Sequence, residues 1–466
     1  MRLETDSLGS REVPDEAYFG IHTLRSSENF SAAGERLPLE LIYAMARLKQ
    51  ACALANAELE LLAGTKAEAV VAACERVLRG ELDEQFPIDV FQSGSGTSSN
   101  MNLNEVLANV ACEILGGVRG DRSLVHPNDD VNKGQSTNNV FPSGIRVACV
   151  ELCDALMGAL RKLAEALRVK AQAFESVVKA ARTHLQDALP IALGQEFGAY
   201  ASALEKDMKR LTAAQDALRD LGIGGNAVGT GINAPPAFRT LVVEKLNAIT
   251  GGQYRQANDG VEATQFLTDL AQMSSALRLL SLDLLKIGND LRLMASGPHT
   301  GLGEIRLPPV EPGSSIMPGK INPSICEAAN MACIQVIGYD AAVAAACGAG
   351  QLELNTHMPL IGTDLVRSFG ILKRCCAMLA EKCVGGIEAR AEVCRRHFES
   401  SAGLATVLNP VLGYDIVAEL VKESLRDNKP LRKLVAEKKL MGEQEFEKLI
   451  RGATRPNLPS RRGDDA

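Results

Sequence analysis

Three polar segments of the chain carry residue types that bind small anions, and each lies beside apolar stretches. They are residues 94–102 (GSGTSSNMN), 134–139 (GQSTNN) and 313–323 (GSSIMPGKINP). Glycine lets backbone N–H groups approach a ligand closely, and Ser, Thr and Asn add short donors without charge repulsion. Any one segment alone is also explained as a capped turn between helices. Together the three segments predict a pocket for a carboxylate.

The third segment has the composition of a loop that closes over a ligand. It contains a single cation, Lys320, and the paired hydroxyls of Ser314 and Ser315. Prolines at positions 312, 318 and 323 restrict a backbone that Gly313 and Gly319 loosen. Loops of this kind can sequester a bound substrate from water.

Apolar residues at alternating spacings of three and four predict two long helices. The first seam is Leu270, Met273, Leu277, Leu280, Leu284, Ile287, Leu291 and Met294. The second is Phe197, Ala201, Leu204, Met208, Leu211 and Leu218; it follows Pro190, which suits a first helical turn, and ends before glycines 222, 224 and 225. Such seams pack against neighbouring helices along their full length. The pattern therefore predicts an all-α, up-and-down bundle of long helices.

Changes in composition divide the chain into three predicted domains. Residues 1–138 mix short helices with Gly-, Asn- and Ser-rich loops, and residues 139–394 hold the long-helix bundle. Residues 395–466 have shorter amphipathic pieces and end in RPNLPSRRGDDA, a predicted mobile tail. A chain of 466 residues fits two or three domains.

Charge and cysteine content exclude several functional classes. The 57 acidic residues outnumber the 50 basic ones, for a formal charge of −7, and no long basic stripe offsets this excess. We therefore expect no nucleic-acid partner. None of the 12 cysteines forms a C-x-x-C pair, so buried thiols in a reducing compartment are expected and no metal site is predicted.

The first residues, MRLETDSLGS, contain no apolar run. Neither a secretory signal nor a transit peptide is predicted, so we expect a cytoplasmic location. The most apolar long stretch, residues 329–350, is interrupted by Asn330, Gln335 and Asp340. These polar residues favour a buried core helix over a membrane span.

The segment GSSIMPGKINP resembles the signature of the aspartase/fumarase superfamily. Four other stretches resemble the family's motifs in the same order: SGTSSNMNLNEVLAN from Ser95, HPNDDVNKGQSTN from His126, RTHLQDALPIALGQEF from Arg182 and SGPHTGLGEIRLP from Ser296. The resemblance covers nearly the whole chain. It implies an all-α, three-domain fold with a long central helical bundle, and a homotetramer whose active sites are shared between subunits.

The same resemblance implies a lyase that acts on a small C4 dicarboxylate. It implies no required cofactor and leaves activation by a divalent cation open. The catalytic residues would be Ser314 as the base, with His184 and its paired carboxylate Glu327. The substrate-binding residues would be Thr97, Ser136, Thr137 and Ser315 for the carboxylate next to the abstracted proton, Thr183, Lys320 and Asn322 for the other carboxylate, and Asn138 near the leaving group.

A serine base is unusual, because a free hydroxyl is almost wholly protonated at neutral pH. Backbone N–H groups of its loop and the charge of Lys320 are the expected sources of stabilisation for an anionic Ser314 oxygen. The elimination also generates a dianionic aci-carboxylate. Dense, preorganised hydrogen-bond donors are what such an intermediate requires.

Secondary resemblances favour ammonia as the leaving group, with L-aspartate as substrate and fumarate as product. They are REVPDEAYFGIHTLR from Arg11, the QSTN form at Gln135, VEATQ from Val261 and AGQLELN from Ala349. Fumarases more often have a Trp where this chain has Phe91. Hydration chemistry, with L-malate as substrate, is the alternative. A catalytically silent structural or binding protein on the same scaffold is the alternative of another class, and the intact Ser314, His184, Lys320 and Asn322 argue against it.

Two positions depart from the catalytic pattern or fall outside it. The family usually reads Gln-Ser-(Ser/Thr)-Asn-Asp, whereas this chain has Asn139 where the aspartate is expected. The change removes a negative charge beside the pocket, so we expect an altered rate or pH dependence rather than inactivity.

His126, in HPND, resembles a second dicarboxylate site of some fumarases, and a structural or regulatory role is equally open.

Overall fold

The structure is a computed structural model that describes residues 1–401 and 403–454. The predicted tail from residue 455 onward lies outside the described residues. Within the described ranges the chain forms sixteen α-helices and eight short strands. The prediction of an all-α fold class is therefore confirmed.

The helices follow the chain in this order: α1 (Ile21–Asn29), α2 (Leu39–Glu58), α3 (Gly64–Leu78), α4 (Thr97–Ile114), α5 (Thr137–Ala173), α6 (Leu193–Ala217), α7 (Pro236–Thr250), α8 (Gly260–Gln265), α9 (Thr268–Met294), α10 (Ser324–Gly348), α11 (Met358–Lys382), α12 (Ala391–Ser400), α13 (Gly403–Leu412), α14 (Tyr414–Asp427), α15 (Leu431–Glu437) and α16 (Glu443–Ala453). The strands pair only in twos. Antiparallel pairs are β1 (Arg2–Asp6) with β2 (Gly9–Val13), β3 (Val178–Thr183) with β4 (Gln186–Ala192), and β7 (Ile305–Arg306) with β8 (Glu388–Ala389); the parallel pair is β5 (Asp220–Leu221) with β6 (Arg255–Gln256).

The chain divides into two compact units. Unit 1 comprises Met1–Gly158, Asp207–Leu282 and Ala332–Arg374, and unit 2 comprises Ala159–Lys206, Asp283–Met331 and Cys375–Ala466. The boundaries fall inside the five longest helices, α5, α6, α9, α10 and α11. The three-domain division at residues 138 and 394 stays a prediction.

The two apolar seams form helices as predicted. All eight residues of the first seam lie on α9 and are at most 5% exposed. In the second seam, five of the six residues are buried, whereas Met208 is partly exposed. Burial on this scale stabilises each large apolar side chain by about 1.5–3 kcal/mol relative to exposure, which explains why the seams direct the fold.

The start of the second long helix was predicted wrongly. Pro190 lies inside β4, and α6 begins at Leu193, after the antiparallel hairpin of β3 and β4. A proline within a strand of a two-stranded sheet is tolerated, because that strand has a free edge. The turn of this hairpin carries His184, one of the predicted catalytic residues.

The expectation of a buried core helix at residues 329–350 is also wrong for a single chain. In α10 only 22% of the most apolar window, whose mean hydropathy is 1.4, is buried. By length and composition this is the one helix in the described ranges that could cross a membrane. Its apolar side chains include Met331 and Ile334, which are 67% and 58% exposed. Sequence patterns indicate that a face is apolar but not whether the same chain covers it.

The C-terminal helices of unit 2 have a core of their own. It includes Phe398, Leu404, Leu434 and Phe446, and Ala180 of β3 packs into it. The hairpin that carries His184 is thus anchored on a packed helical base.

Candidate active site

In unit 1, the predicted carboxylate-binding residues stand at the N-termini of two helices. Thr97 is the first residue of α4, Thr137 is the first residue of α5, and Ser136 directly precedes α5. The backbone N–H of Asn138 donates to Ser136 Oγ at 3.3 Å. Free N–H groups and the positive end of the helix dipole favour an anion at such termini. The arrangement suits a carboxylate ligand.

The turn before α4 requires glycine. Ser95 and Gly96 have φ values of 61° and 84°. A Cβ atom on Gly96 would lie 2.2 Å from the Phe141 ring, which is 1% exposed. This close approach fixes the start of α4 against α5, and Thr97 Oγ1 then lies 3.3 Å from Ser95 Oγ.

Behind Thr137 lies a chain of polar residues that sequence reasoning missed. Asn100 Nδ2 donates to Thr137 Oγ1 at 2.9 Å and lies 3.4 Å from Asn132 Oδ1. Asn132 Oδ1 in turn accepts from Lys49 Nζ at 2.7 Å. Lys49 lies four residues after Met45, on the apolar face of α2, and this position in the sequence could have indicated that the lysine is buried.

In unit 2, Thr183 and His184 lie at the tip of the hairpin. Thr183 pairs with Gln186, so His184 and Leu185 form a two-residue turn, with φ values of 57° and 58°. Positive φ at both positions is normally supplied by Asn or Gly. Non-glycine residues held in this region cluster at functional sites. The turn leaves His184 exposed, with no hydrogen bond or ion pair to any described residue.

A buried charge cluster orients the hairpin. The Glu304 carboxylate, which is fully buried, lies 2.8 Å from Arg182 and 3.1 Å from Lys179, both on β3. His397 Nδ1 of α12 lies 3.2 Å from the same carboxylate. Burial opposes ionisation of Glu304, but the hydrogen bond from Arg182 and the charge of Lys179 outweigh it and lower its pKa. Arg182, which directly precedes Thr183 and His184, is therefore held by an ion pair with Glu304.

The loop of residues 313–323 closes on itself. Gly313 N donates to Lys320 O at 2.9 Å, and Asn322 Nδ2 donates to Gly313 O at 2.8 Å. A Cβ atom on Gly313 would lie 2.4 Å from Lys320 O, so the closure requires glycine here. Asn322, predicted to bind substrate, uses its amide N–H to hold the base of the loop.

The Ser314 hydroxyl accepts two hydrogen bonds from the backbone of its own loop. The donors are Ile316 N at 3.2 Å and Met317 N at 3.1 Å. Hydrogen bonds to the charged form of a group favour that form, so this geometry stabilises an anionic oxygen. Ser315 and Lys320 are exposed on the same loop.

Family models match two parts of the chain. A lyase model matches residues 9–338, and a fumarase C C-terminus model matches residues 404–453. The chain belongs to the aspartase/fumarase superfamily.

Relatives in the superfamily include two activities at similar identity. A class II fumarate hydratase of Thermosynechococcus vestitus is 44% identical over 97% of both chains. An aspartate ammonia-lyase of Pseudomonas aeruginosa is 45% identical over 95% of this chain and 94% of its own. The crystal structure of a fumarate lyase:delta crystallin from Brucella melitensis superimposes with a TM-score of 0.95, at 46% identity over 98% of this chain and 100% of the other. The comparisons therefore identify a lyase family without distinguishing its leaving group.

The superfamily pairing of His184 with Glu327 is not formed within one chain. The Glu327 carboxylate, in the first turn of α10, lies 3.8 Å from Arg292 instead. In a site shared between subunits, the histidine facing Glu327 would come from another copy. The pairing stays a prediction.

His126, outside the catalytic set, caps a short helical turn at Pro127–Val131. Its Nδ1 accepts from Asn128 N at 3.2 Å and from Asp129 N at 3.1 Å. These contacts support the structural reading of this residue.

Asn139, which replaces the superfamily's usual aspartate, is 1% exposed. Its Nδ2 donates to Thr264 Oγ1 at 3.0 Å, and that hydroxyl donates to Gly260 O at 2.8 Å. Asn139 Oδ1 is buried without a hydrogen-bond partner among the described residues. Because the Thr264 hydroxyl already donates its proton to Gly260 O, it can accept from an amide N–H but cannot donate to a carboxylate. A neutral amide at position 139 therefore fits this site.

We expect Asn139→Asp to lower the free energy of unfolding by about 1–3 kcal/mol at neutral pH. Burial would raise the folded-state pKa of the new carboxyl above its unfolded value, so the loss should grow as pH rises through the unfolded pKa and shrink in acid. Urea unfolding at several pH values measures this. Asn139→Leu is the matched control, with a pH-independent loss expected. Equal stability of Asn139→Asp and wild type at every pH would contradict the prediction.

Proposed function

We propose that this protein is an aspartate ammonia-lyase, which removes ammonia from L-aspartate by anti-elimination to give fumarate. The observation that carries the elimination chemistry is the pair of backbone N–H bonds to Ser314 Oγ. The preference for aspartate rests on the QSTN, VEATQ and AGQLELN stretches and on Phe91 in place of tryptophan.

In the proposed mechanism Ser314 removes the C–H proton next to one carboxylate. Thr97, Ser136, Thr137 and Ser315 hold that carboxylate as it becomes a dianion. Donors at helix N-termini are aimed before the charge develops, so they stabilise the intermediate more than the substrate. Thr183, Lys320 and Asn322 hold the other carboxylate, while Asn138 and His184 lie near the departing ammonia.

A class II fumarate hydratase is the second candidate, because a relative of that activity is 44% identical over the same length. The carboxylate contacts and the base would be the same, and water would replace ammonia as the leaving group. A catalytically silent homologue is the alternative of another class. Its expected signature is a folded oligomer that turns over no dicarboxylate.

A competition in the reverse direction distinguishes these candidates in one tube. Purified protein is mixed with fumarate and ammonium in D2O, and the products are followed by proton NMR. Aspartate with one deuterium at C3, in the diastereomer formed when nitrogen and deuterium add to opposite faces of the double bond, supports anti-addition of ammonia. Malate as the sole product would establish the hydratase instead, and unchanged fumarate would support the silent homologue.

We also propose that the protein is a homotetramer with active sites shared between subunits. The exposed apolar length of α10 supports this, because monomers rarely leave large apolar patches uncovered. The apolar, exposed Ile316 and Ile321 of the loop 313–323 fit a surface that another copy covers.

Charge on α10 should break this assembly. We expect the double variant Met331→Glu, Ile334→Glu to elute at the 49.7 kDa mass of one chain, or to aggregate, whereas wild type has about four times that mass. Light scattering after gel filtration measures it. Leu425→Glu on α14 is the control, because this residue is 77% exposed on a terminal helix. A tetrameric α10 variant would contradict the assignment of this face.

The remaining features of the proposal follow from the same resemblance. We propose a cytoplasmic enzyme without a nucleic-acid or membrane partner, with no required cofactor. Turnover that survives exhaustive dialysis against a chelator would support cofactor independence. A loss that Mg²⁺ restores would instead indicate activation by a divalent cation.

A further inference from the structure

Lys49, on α2, is a fully buried cation without a carboxylate partner. Its side chain is 0% exposed, and its Nζ donates to Asn132 Oδ1 at 2.7 Å. The titratable groups that face it are the thiols of Cys52, on the same helix, and Cys74, on α3. Burial raises the pKa of Cys52 to about 12 and raises that of Cys74 further, so both thiols are neutral. No described group balances the charge.

A purely structural role does not explain a lysine at this position. Moving an ammonium group out of water is costly, and replacing buried charges with apolar residues of similar volume is often neutral or stabilising. The lysine has one specific contact, with Asn132. Its role therefore lies in what that contact determines.

The contact fixes the direction of a hydrogen-bond chain. An ammonium group only donates, so Asn132 must present its carbonyl oxygen, Oδ1, to Lys49. The Asn132 Nδ2 then donates to Gln135 O at 3.2 Å. The same Oδ1 faces the amide nitrogen of Asn100 at 3.4 Å, which sets the orientation of that second amide.

The hydrogen-bond chain ends at the hydroxyl of Thr137, which is predicted to bind substrate. Asn100 Nδ2 donates to Thr137 Oγ1 at 2.9 Å. Because Thr137 Oγ1 accepts this bond, its own O–H proton is free to donate elsewhere. Thr137 stands at the N-terminus of α5, where a carboxylate is expected.

We propose that Lys49 is a positioning residue of the carboxylate-binding site, which sets the direction of the chain through Asn132 and Asn100 so that Thr137 donates its proton to the substrate. The inference rests on the proposed function, because it assumes a dicarboxylate at Thr137. Lys49 itself contacts no substrate.

The orientation of this hydrogen-bond chain should depend on pH. Burial lowers the pKa of Lys49 to about 7. A neutral amine has a lone pair and can accept from the Asn132 amide, which permits the reversed arrangement, and the positive charge behind the site is lost. Affinity for a dicarboxylate should therefore fall as pH rises through about 7.

The test compares Lys49→Met with wild type in calorimetric titrations with fumarate, on both sides of pH 7, using the full-length protein. Below pH 7 we expect Lys49→Met to bind fumarate about tenfold more weakly than wild type, because one oriented hydrogen bond and the charge behind it are lost. The affinity of the variant for fumarate should not change with pH near 7. The variant should show a raised KM, and its thermal midpoint should be at least that of wild type, with the larger gain below pH 7. Gln50→Met, at the neighbouring buried position, is the matched control and should bind as wild type does.

A second variant keeps the inference testable if Lys49→Met does not fold. Asn132→Asp retains an acceptor for Lys49 and pairs with its charge, which should move the pH-dependent loss of affinity to higher pH. The inference would be overturned if Lys49→Met kept the wild-type affinity for fumarate and its pH dependence, or if Asn132→Asp kept the wild-type pH dependence of affinity. In either case turnover by wild type would still support the proposed function. Absence of fumarate binding by wild type would overturn both.

Discussion

Replacing Ser314 with alanine is expected to lower kcat/KM for fumarate formation by about 10²- to 10⁴-fold, the usual contribution of a positioned base. The hydroxyl accepts two backbone N–H bonds, from Ile316 and Met317, which favour the anionic form needed to remove a proton. Initial rates from aspartate measure the effect. The folded state should be little affected, because the loop 313–323 is largely exposed.

Alanine also removes the acceptor for those two N–H groups, so a second variant is needed to separate catalysis from loop structure. The side-chain oxygen of Ser314→Asn can accept the same pair of N–H bonds, as asparagine does in Asx turns. It cannot act as an alkoxide base. Equal loss in both variants would support Ser314 as the base, whereas near-wild-type turnover by Ser314→Asn would show that the oxygen serves only to shape the loop.

Gly96→Ala is expected to have the largest effect on stability. The new Cβ would lie 2.2 Å from the buried Phe141 ring, and the residue must also keep a φ of 84°. Overpacking and left-handed strain together should cost about 3 kcal/mol or more. Because Gly96 directly precedes Thr97, activity should fall as well. Urea unfolding and initial rates measure the two effects.

Gly116, at the other end of α4, is a matched control. It has a φ of 83°, but a Cβ there would meet nothing within 4 Å. Gly116→Ala should therefore cost only about 1–2 kcal/mol, from backbone strain alone. Equal losses at the two glycines would mean that contact with Phe141 does not determine the position of Thr97.

The sequence predicted those features that depend on local periodicity. The α9 seam from Leu270 to Met294 is buried along its length, because residues three and four apart lie on the same helix face. The polar segments that contain Thr97 and Thr137 were predicted to bind a carboxylate, with capped turns between helices as the alternative for each, and both residues lie at helix N-termini. The loop N–H groups expected to stabilise Ser314 are those of Ile316 and Met317.

Features that depend on distant contacts could not be predicted in the same way. The turn at His184 and Leu185 lacks the Asn or Gly that usually marks a tight hairpin, since the ion pairs of Lys179 and Arg182 with Glu304 hold its strands. The apolar side chains of α10 are largely exposed in one chain, and we propose that other copies of the chain cover them. Lys49 resembles a surface residue by type, and only packing of α2 against its neighbours buries it.

The most direct test of the central claim is the initial rate of fumarate formation when purified protein is mixed with L-aspartate, and separately with L-malate, followed by ultraviolet absorbance. We predict turnover of aspartate and none of malate above background. Turnover of malate alone would contradict the proposed ammonia-lyase and make this a fumarate hydratase, and silence with both substrates would contradict the elimination chemistry assigned to Ser314.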